Sequence, residues 1–306
     1  MFTGTVLCIV TGLMWSMIAC VRRYVAKNGV PLFKFYCISN GMASIVCWLV
    51  YLLYNPNVSF DWEQVLPLVV LLVAAGFINS VSEAFNVNCF KYGHNGISVA
   101  ASNSSIAIPF LYSIVFMNEH VIWQRWLGFL LLLLSLGMMV VQEYRSNHGQ
   151  SGISARDKVI WVSLLMGRIL FTGTFLTLII ISSKYQDVEA MKNLRIPLVM
   201  TACALGNGFF SQFKFIPGNG EINIGKVIKV SLIWVSLAVG SYYFQFLSVD
   251  RMASLGSAAI VFPLMVCAYL SSFSLYSHLK LKEPYNVFSL SSLLMCICGI
   301  FLLSSE

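Results

Sequence analysis

The sequence predicts an all-α membrane protein of ten transmembrane helices, arranged as an inverted repeat of five plus five. Three observations carry that prediction. Only 10% of the 306 residues are charged and 58% are hydrophobic, against about 25% charged in an ordinary soluble domain. Apolar runs long enough to cross a bilayer recur along the whole chain. The two halves share a pattern of proline, glutamate and small residues. So few charges cannot cover a water-facing surface. That excludes an ordinary cytosolic enzyme, a disordered tail protein and a secreted disulfide scaffold.

A helix needs about 20 mostly apolar residues to cross a hydrocarbon core roughly 30 Å thick. Such runs occupy 3–21, 32–54, 65–89, 96–117 and 122–141, then 159–182, 194–213, 227–247, 253–276 and 285–304. The seventh is diluted by Gly206, Asn207, Gly208 and Gln212. All are longer and more uniformly apolar than the alternating segments of about ten residues that build a membrane barrel. Residues 1–21 lack a basic segment ahead of the apolar stretch, and Arg22-Arg23 follow it, so the first run reads as a span and not as a cleaved leader. The longest polar gap, about 142–158, divides the chain into repeats 1–147 and 148–306 that form one membrane unit.

The repeat is legible at the end of each half. Pro109 lies in the fourth span and Glu119 follows it, with Gly128 and Gly137 at nine-residue intervals. Pro263 lies in the ninth span, followed by Glu283, Ser292 nine residues on and Gly299 seven beyond. An odd number of spans per repeat forces the second copy to enter the membrane from the opposite side. Inverted repeats of this kind are typical of carriers that alternate access around a central site. Pro109 and Pro263 are the candidate helix bends, because each removes a backbone donor that neighbouring helices can compensate. The alternative for both is a simple packing kink.

These spans, the duplication and the Pro–Glu–Gly/Ser–Gly ends resemble the drug/metabolite transporter (DMT) superfamily in its EamA-type branch. Gly12 and Trp15 in the first span and Gly29-Val30-Pro31 before the second are similar to it too. The Gly-Glu pair usual in that family reads Asn118-Glu119 and Lys282-Glu283 here. The resemblance implies a secondary carrier of small metabolites without cofactor or ATP site, in a plasma membrane such as the bacterial inner membrane. It also implies a substrate cavity between the halves, lined mainly by the first, third, fourth, sixth, eighth and ninth spans.

Polar residues inside the runs supply the candidate site. Asn79, Glu83 and Asn86 fall within about 60° of one another on a helix of 3.6 residues per turn. Arg168 is the basic residue deepest in an apolar run. Intramembrane charges are functional candidates by default. Arg168 suits a carboxylate or phosphate, and Glu83 suits an amino group or a coupling proton. The competing possibility is a Glu83–Arg168 ion pair that only holds the halves together. Asn95, Ser98, Ser102 and Ser105 form a hydroxyl stripe on the fourth span, with Ser102 a candidate cavity residue and close helix packing the alternative. Tyr242 in the eighth span is a candidate cavity residue or an interfacial aromatic.

Metal and catalytic motifs are missing from the sequence. The four histidines are far apart and the nine cysteines are scattered through apolar runs, where they read as small packing residues. The expected function is a secondary active transporter, not an enzyme. It moves a small polar, amino acid-like metabolite through a midplane cavity by alternating access, with protons as the candidate coupling ion. A membrane-embedded enzyme acting on lipid-linked substrates and a passive channel are the alternatives. The formal charge of +7 calls for contact with the lipid bilayer and no nucleic acid. Orientation is contested. The loop tally of basic residues favours both termini outside, whereas the resemblance implies both inside.

Overall fold

The computed structural model describes residues 1–28, 30–55, 62–92, 102–146, 155–185, 189–213, 224–281 and 287–305. Among the described residues there are ten α-helices and no strand: α1 Phe2–Lys27, α2 Leu32–Tyr54, α3 Trp62–Tyr92, α4 Ala107–Phe116, α5 Trp123–Ser146, α6 Ala155–Ile181, α7 Glu189–Phe210, α8 Ile224–Ala253, α9 Val261–Leu281 and α10 Val287–Leu303. Six described segments are long and apolar enough to cross a membrane, in α1, α2, α3, α6, α8 and α9, those of α6 and α9 including a flanking 3-10 turn. Shorter apolar helical stretches lie at Ser104–Phe116, Trp123–Met138 and Leu290–Leu303. The molecule is an all-helical, multi-pass membrane protein.

The surface explains why this bundle needs lipid. Leu66, Val70, Val73 and Phe77 make one exposed stripe on α3; Val159, Val162, Met166 and Leu170 make another on α6; Leu290, Leu294, Ile297 and Phe301 a third on α10. Each stripe follows the helical spacing of three and four residues. Apolar stripes repeated around a bundle far exceed the few hundred Å² of contiguous apolar surface that water tolerates. The polar side chains point the other way. Ser39 on α2 hydrogen-bonds Ser231 on α8 at 2.8 Å, and Ser44 on α2 bonds Thr201 on α7 at 2.7 Å. Trp234 donates to the Asn40 side chain.

Helix pairing is specific. α1 packs on α8 and α9, α3 on α6 and α7, α2 on α7 and α8, and α5 on α10. Close approach needs small residues. A Cβ on Gly76 of α3 would lie 2.8 Å from the Val199 carbonyl oxygen of α7. The α5–α10 seam holds Gly128 against Gly299 at one point, and hydrogen-bonds Ser135 to Ser292 at 2.9 Å at another. Gly137 has open space where a side chain would go, so the seam uses Ser135 instead.

The prolines stand at matched places. A 3-10 turn at Ser104–Ile106 leads into α4 and another at Ala258–Ile260 leads into α9. Pro109 and Pro263 are each the third residue of the helix that follows. A missing N–H is best tolerated in a first turn, so each proline sits where the helix changes pitch.

Both chain ends lie on one face, which is tied shut by polar contacts. Arg125 donates to the Ser305 carbonyl at 3.1 Å and to the Ser257 hydroxyl at 3.2 Å, and its third nitrogen reaches the Met1 sulfur. Glu119 accepts the backbone N–H groups of Ala258 and Ala259 at 2.8 and 2.7 Å. A carboxylate at a helix start satisfies donors that have no partner in the helix. Burial pushes the Glu119 carboxyl above its usual range, against the pull of the two amides and of Arg125. Asn118 presents Glu119 through a left-handed backbone, φ 53°. Glycine and asparagine accept that conformation best, so Asn-Glu can stand for Gly-Glu here. Glu283 of the second half lies outside the described residues.

On the same side of the bundle, Arg195 of α7 makes a two-point pair with Asp250 of α8, one bond at 2.7 Å, and its third nitrogen donates to the Lys192 carbonyl. Arg195 is completely buried, and its guanidinium lies 4.8 Å from the Phe246 ring centre. Arg125 and Arg195 are therefore both held by protein partners on all three guanidinium nitrogens.

Two outcomes follow from these contacts. Asp250→Asn strands a buried guanidinium and lowers stability by about 3–5 kcal/mol, read as a fall in melting temperature in detergent, whereas Arg195→Met with Asp250→Leu recovers much of the loss. Asn118→Gly leaves the melting temperature near wild type, while Asn118→Val lowers it, with a backbone cost of about 1–2 kcal/mol.

Candidate functional site

The site is built outward from α3. Glu83 is committed on both oxygens: Oε1 accepts from Arg22 Nη2 of α1 at 3.1 Å and Oε2 accepts from Asn86 Nδ2 at 3.0 Å. The i, i+3 spacing of Glu83 and Asn86 makes the second contact possible on one helix face. Arg22 is in turn 5.5 Å from the centre of the Tyr36 ring of α2, a cation–π contact. The charges of Arg22 and Arg168 both act on Glu83, and Tyr269 of α9 feels the same three groups.

The ion pair at this site is thus Arg22–Glu83, and not Glu83–Arg168. The sequence hid Arg22 because the first apolar run stops at residue 21. The helix does not stop there but continues to Lys27, which carries Arg22 against α3. The Arg22 and Glu83 side chains keep 29% and 18% exposure.

Arg168 differs from Arg125 and Arg195 in one respect. All three guanidinium nitrogens of Arg195 and of Arg125 have protein partners. Nε and Nη1 of Arg168 are buried without one. Around Glu83 the same holds for Arg22 Nε, Tyr36 OH and Asn86 Oδ1. Buried polar atoms normally find a partner, and leaving one unmatched costs about 1–3 kcal/mol. Here five such atoms gather about one carboxylate.

Two of the remaining candidates, Asn79 and Tyr242, lie close by. Asn79 donates to the Cys203 sulfur of α7 at 3.5 Å, which joins α3 to α7 one turn from Glu83, and Tyr242 of α8 lies near the same sulfur. Tyr243 faces out, 55% exposed. Thr172, one turn from Arg168, hydrogen-bonds Ser82 of α3, and Phe171 stacks on Phe85. Ser102 is buried two residues ahead of the first 3-10 turn. Asn95 and Ser98 lie outside the described residues. Sequence reasoning missed Arg22, Tyr36 and Tyr269, whose only signal was a polar atom near the end of an apolar run.

No family model and no curated protein matches the chain. Solved structures do match it. One of them, described only as "Crystal structure of protein", superposes with a TM-score of 0.69 over 99% of this chain and 98% of its own, at 13% identity. At that identity the likeness speaks of the fold alone: the whole helical arrangement has a solved counterpart of the same extent.

A double-mutant cycle checks the pairing at this site. Arg22→Gln and Glu83→Gln should couple by about 0.5–3 kcal/mol in thermal stability, and Arg168→Gln with Glu83→Gln by less. Equal or reversed coupling would contradict the geometry.

Proposed function

We propose that this protein is a secondary membrane carrier that moves a small polar metabolite by alternating access, its ten helices crossing the membrane as the inverted repeat 1–147 and 148–306. The observation that carries the reading is the internal cluster of charged and unmatched polar atoms about Glu83, contributed by α1, α2, α3 and α6. Unmatched atoms occur singly elsewhere in the bundle, and their concentration about one carboxylate suits a binding site that exchanges its partner.

The repeat has support of its own. Glu119 and Glu283 stand 164 positions apart. The same shift takes Gly128 to Ser292 and Ser135 to Gly299. The contact Gly128–Gly299 therefore maps onto Ser292–Ser135, which is the other contact of that seam. The packing of α1 on α8 maps likewise onto α6 on α3. A two-fold relation between halves predicts that exchange.

The terminal face is the closed gate in this reading. Glu119 and Arg125 of the first half hold the α8–α9 turn, and opening requires Glu119 to leave the amides of Ala258 and Ala259. Pro109 and Pro263 supply the compliant points. Protons are the candidate coupling ion, because protonating Glu83 would release Arg22. The resemblance to the drug/metabolite transporter superfamily agrees with each of these parts and is the ground for an amino acid-like substrate and a plasma-membrane location.

Counterflow in proteoliposomes with a metabolite panel tests the reading. A solute should exchange saturably, with Glu83→Gln and Arg168→Gln each reducing its flux by about tenfold or more. Linear, unsaturable flux would indicate a channel, and no movement under any gradient would defeat the carrier reading.

A further inference from the structure

We infer that Arg168, with Arg22 and Tyr36 beside it, binds the anionic group of a small substrate that also carries a hydroxyl or amino donor. This deepens the carrier reading and rests on it only for the word substrate.

Charge sets the sign of the ligand. Two guanidinium groups, Arg22 and Arg168, act on a single carboxylate, Glu83. The three together carry one net positive charge, on groups of which Arg22 and Glu83 keep only 29% and 18% exposure. A monoanion neutralises the group, and a cation makes it worse. Glu83 already accepts from Arg22 and Asn86. The unmatched donors are Arg168 Nε and Nη1, Arg22 Nε and Tyr36 OH, and the unmatched acceptor is Asn86 Oδ1. Asn86 must aim its amide nitrogen at the carboxylate, so its oxygen is the atom left for a ligand. Donors in excess call for an acceptor-rich anion, and guanidinium matches carboxylate and phosphate oxygens with charge-assisted bonds. One residual acceptor calls for a donor on the same molecule.

The contrast within the chain argues against a merely structural role. Arg195 shows what a structural arginine looks like here, with two bonds to Asp250 and a third to a carbonyl. Arg168 lacks that provision on two of its nitrogens.

The test uses the full chain in nanodiscs of zwitterionic lipid, so that no anionic headgroup competes. Thermal melting is followed with propionate, lactate, propionamide, inorganic phosphate, glycerol phosphate, glycerol and ethylamine. Anions should raise the melting temperature, lactate more than propionate and glycerol phosphate more than phosphate, while propionamide, glycerol and ethylamine leave it unchanged. The carboxylate and phosphate arms show which anion fits. Arg168→Gln should weaken the response to anions by about tenfold or more in apparent affinity, the loss of a charge-assisted bond, and Arg168→Lys should keep part of it. Stabilisation by the uncharged analogues equal to that by the anions, or an anion response unchanged in Arg168→Gln, overturns the inference, as does a panel in which no anion acts. Counterflow run in parallel separates the two claims. Anions that bind through Arg168 but never cross defeat the carrier and keep the site. An uncharged solute whose saturable flux survives Arg168→Gln keeps the carrier and defeats the site.

Discussion

A guanidinium carried into a bilayer has no water to fall back on, and the cost near a helix centre is about 2.5–3.5 kcal/mol even on insertion scales. Four of the arginines on its helices, Arg22, Arg125, Arg168 and Arg195, turn toward other helices, and each meets the problem differently. Arg195 takes a carboxylate, Asp250, from the neighbouring helix. Arg125 takes a carbonyl, a hydroxyl and a sulfur where the chain ends meet the α8–α9 turn. Arg22 takes Glu83. Arg168 shares the field of that same carboxylate but keeps two nitrogens unmatched. The helix arrangement follows from these needs as much as from apolar packing, since α1, α3 and α6 must meet where three charges coincide.

The polar contacts divide by position along the bundle. Those on the terminal face join the halves: Glu119 reaches from the α4–α5 connection to the start of α9, and Arg125 reaches from α5 to both chain ends, while Ser113 Oγ and Gln124 Oε1 beside them are buried without a partner. Those about Glu83 lie some twenty residues further along α1 and α3, about 30 Å at 1.5 Å per residue, and are unsaturated. Under the proposed carrier function these side chains exchange partners between states, and Glu119, which accepts two backbone N–H groups, is the contact whose breaking would open the terminal face.

Much of the architecture was legible in the sequence because hydrocarbon imposes a length. Run length placed the helices, and the polarity of Asn79, Glu83 and Asn86 on one face placed the site on α3. What the sequence hid has physical reasons. Apolar runs mark where lipid is, not where a helix ends, so Arg22 looked like a loop residue although α1 continues to Lys27. Arg195 and Asp250 sit near the ends of their runs, where a charge ordinarily meets water, and only the fold shows that they meet each other. Partner choice at Glu83 depended on the crossing of α1 with α3, which no spacing rule encodes. The matching of Gly128 to Ser292 was visible as a pattern, but that Ser135, and not Gly137, completes the seam depends on which face of α5 meets α10.

The most direct measurement is the experimental density around Arg168 in a high-resolution structure of the purified protein. The central claim is that Nε and Nη1 of Arg168 bind something other than the protein. Density for an anion or for ordered water within about 3 Å of those nitrogens, with Glu83 still paired to Arg22, is the predicted result. A direct two-point bond from Arg168 to Glu83, leaving no unmatched donors in the cluster, would contradict it.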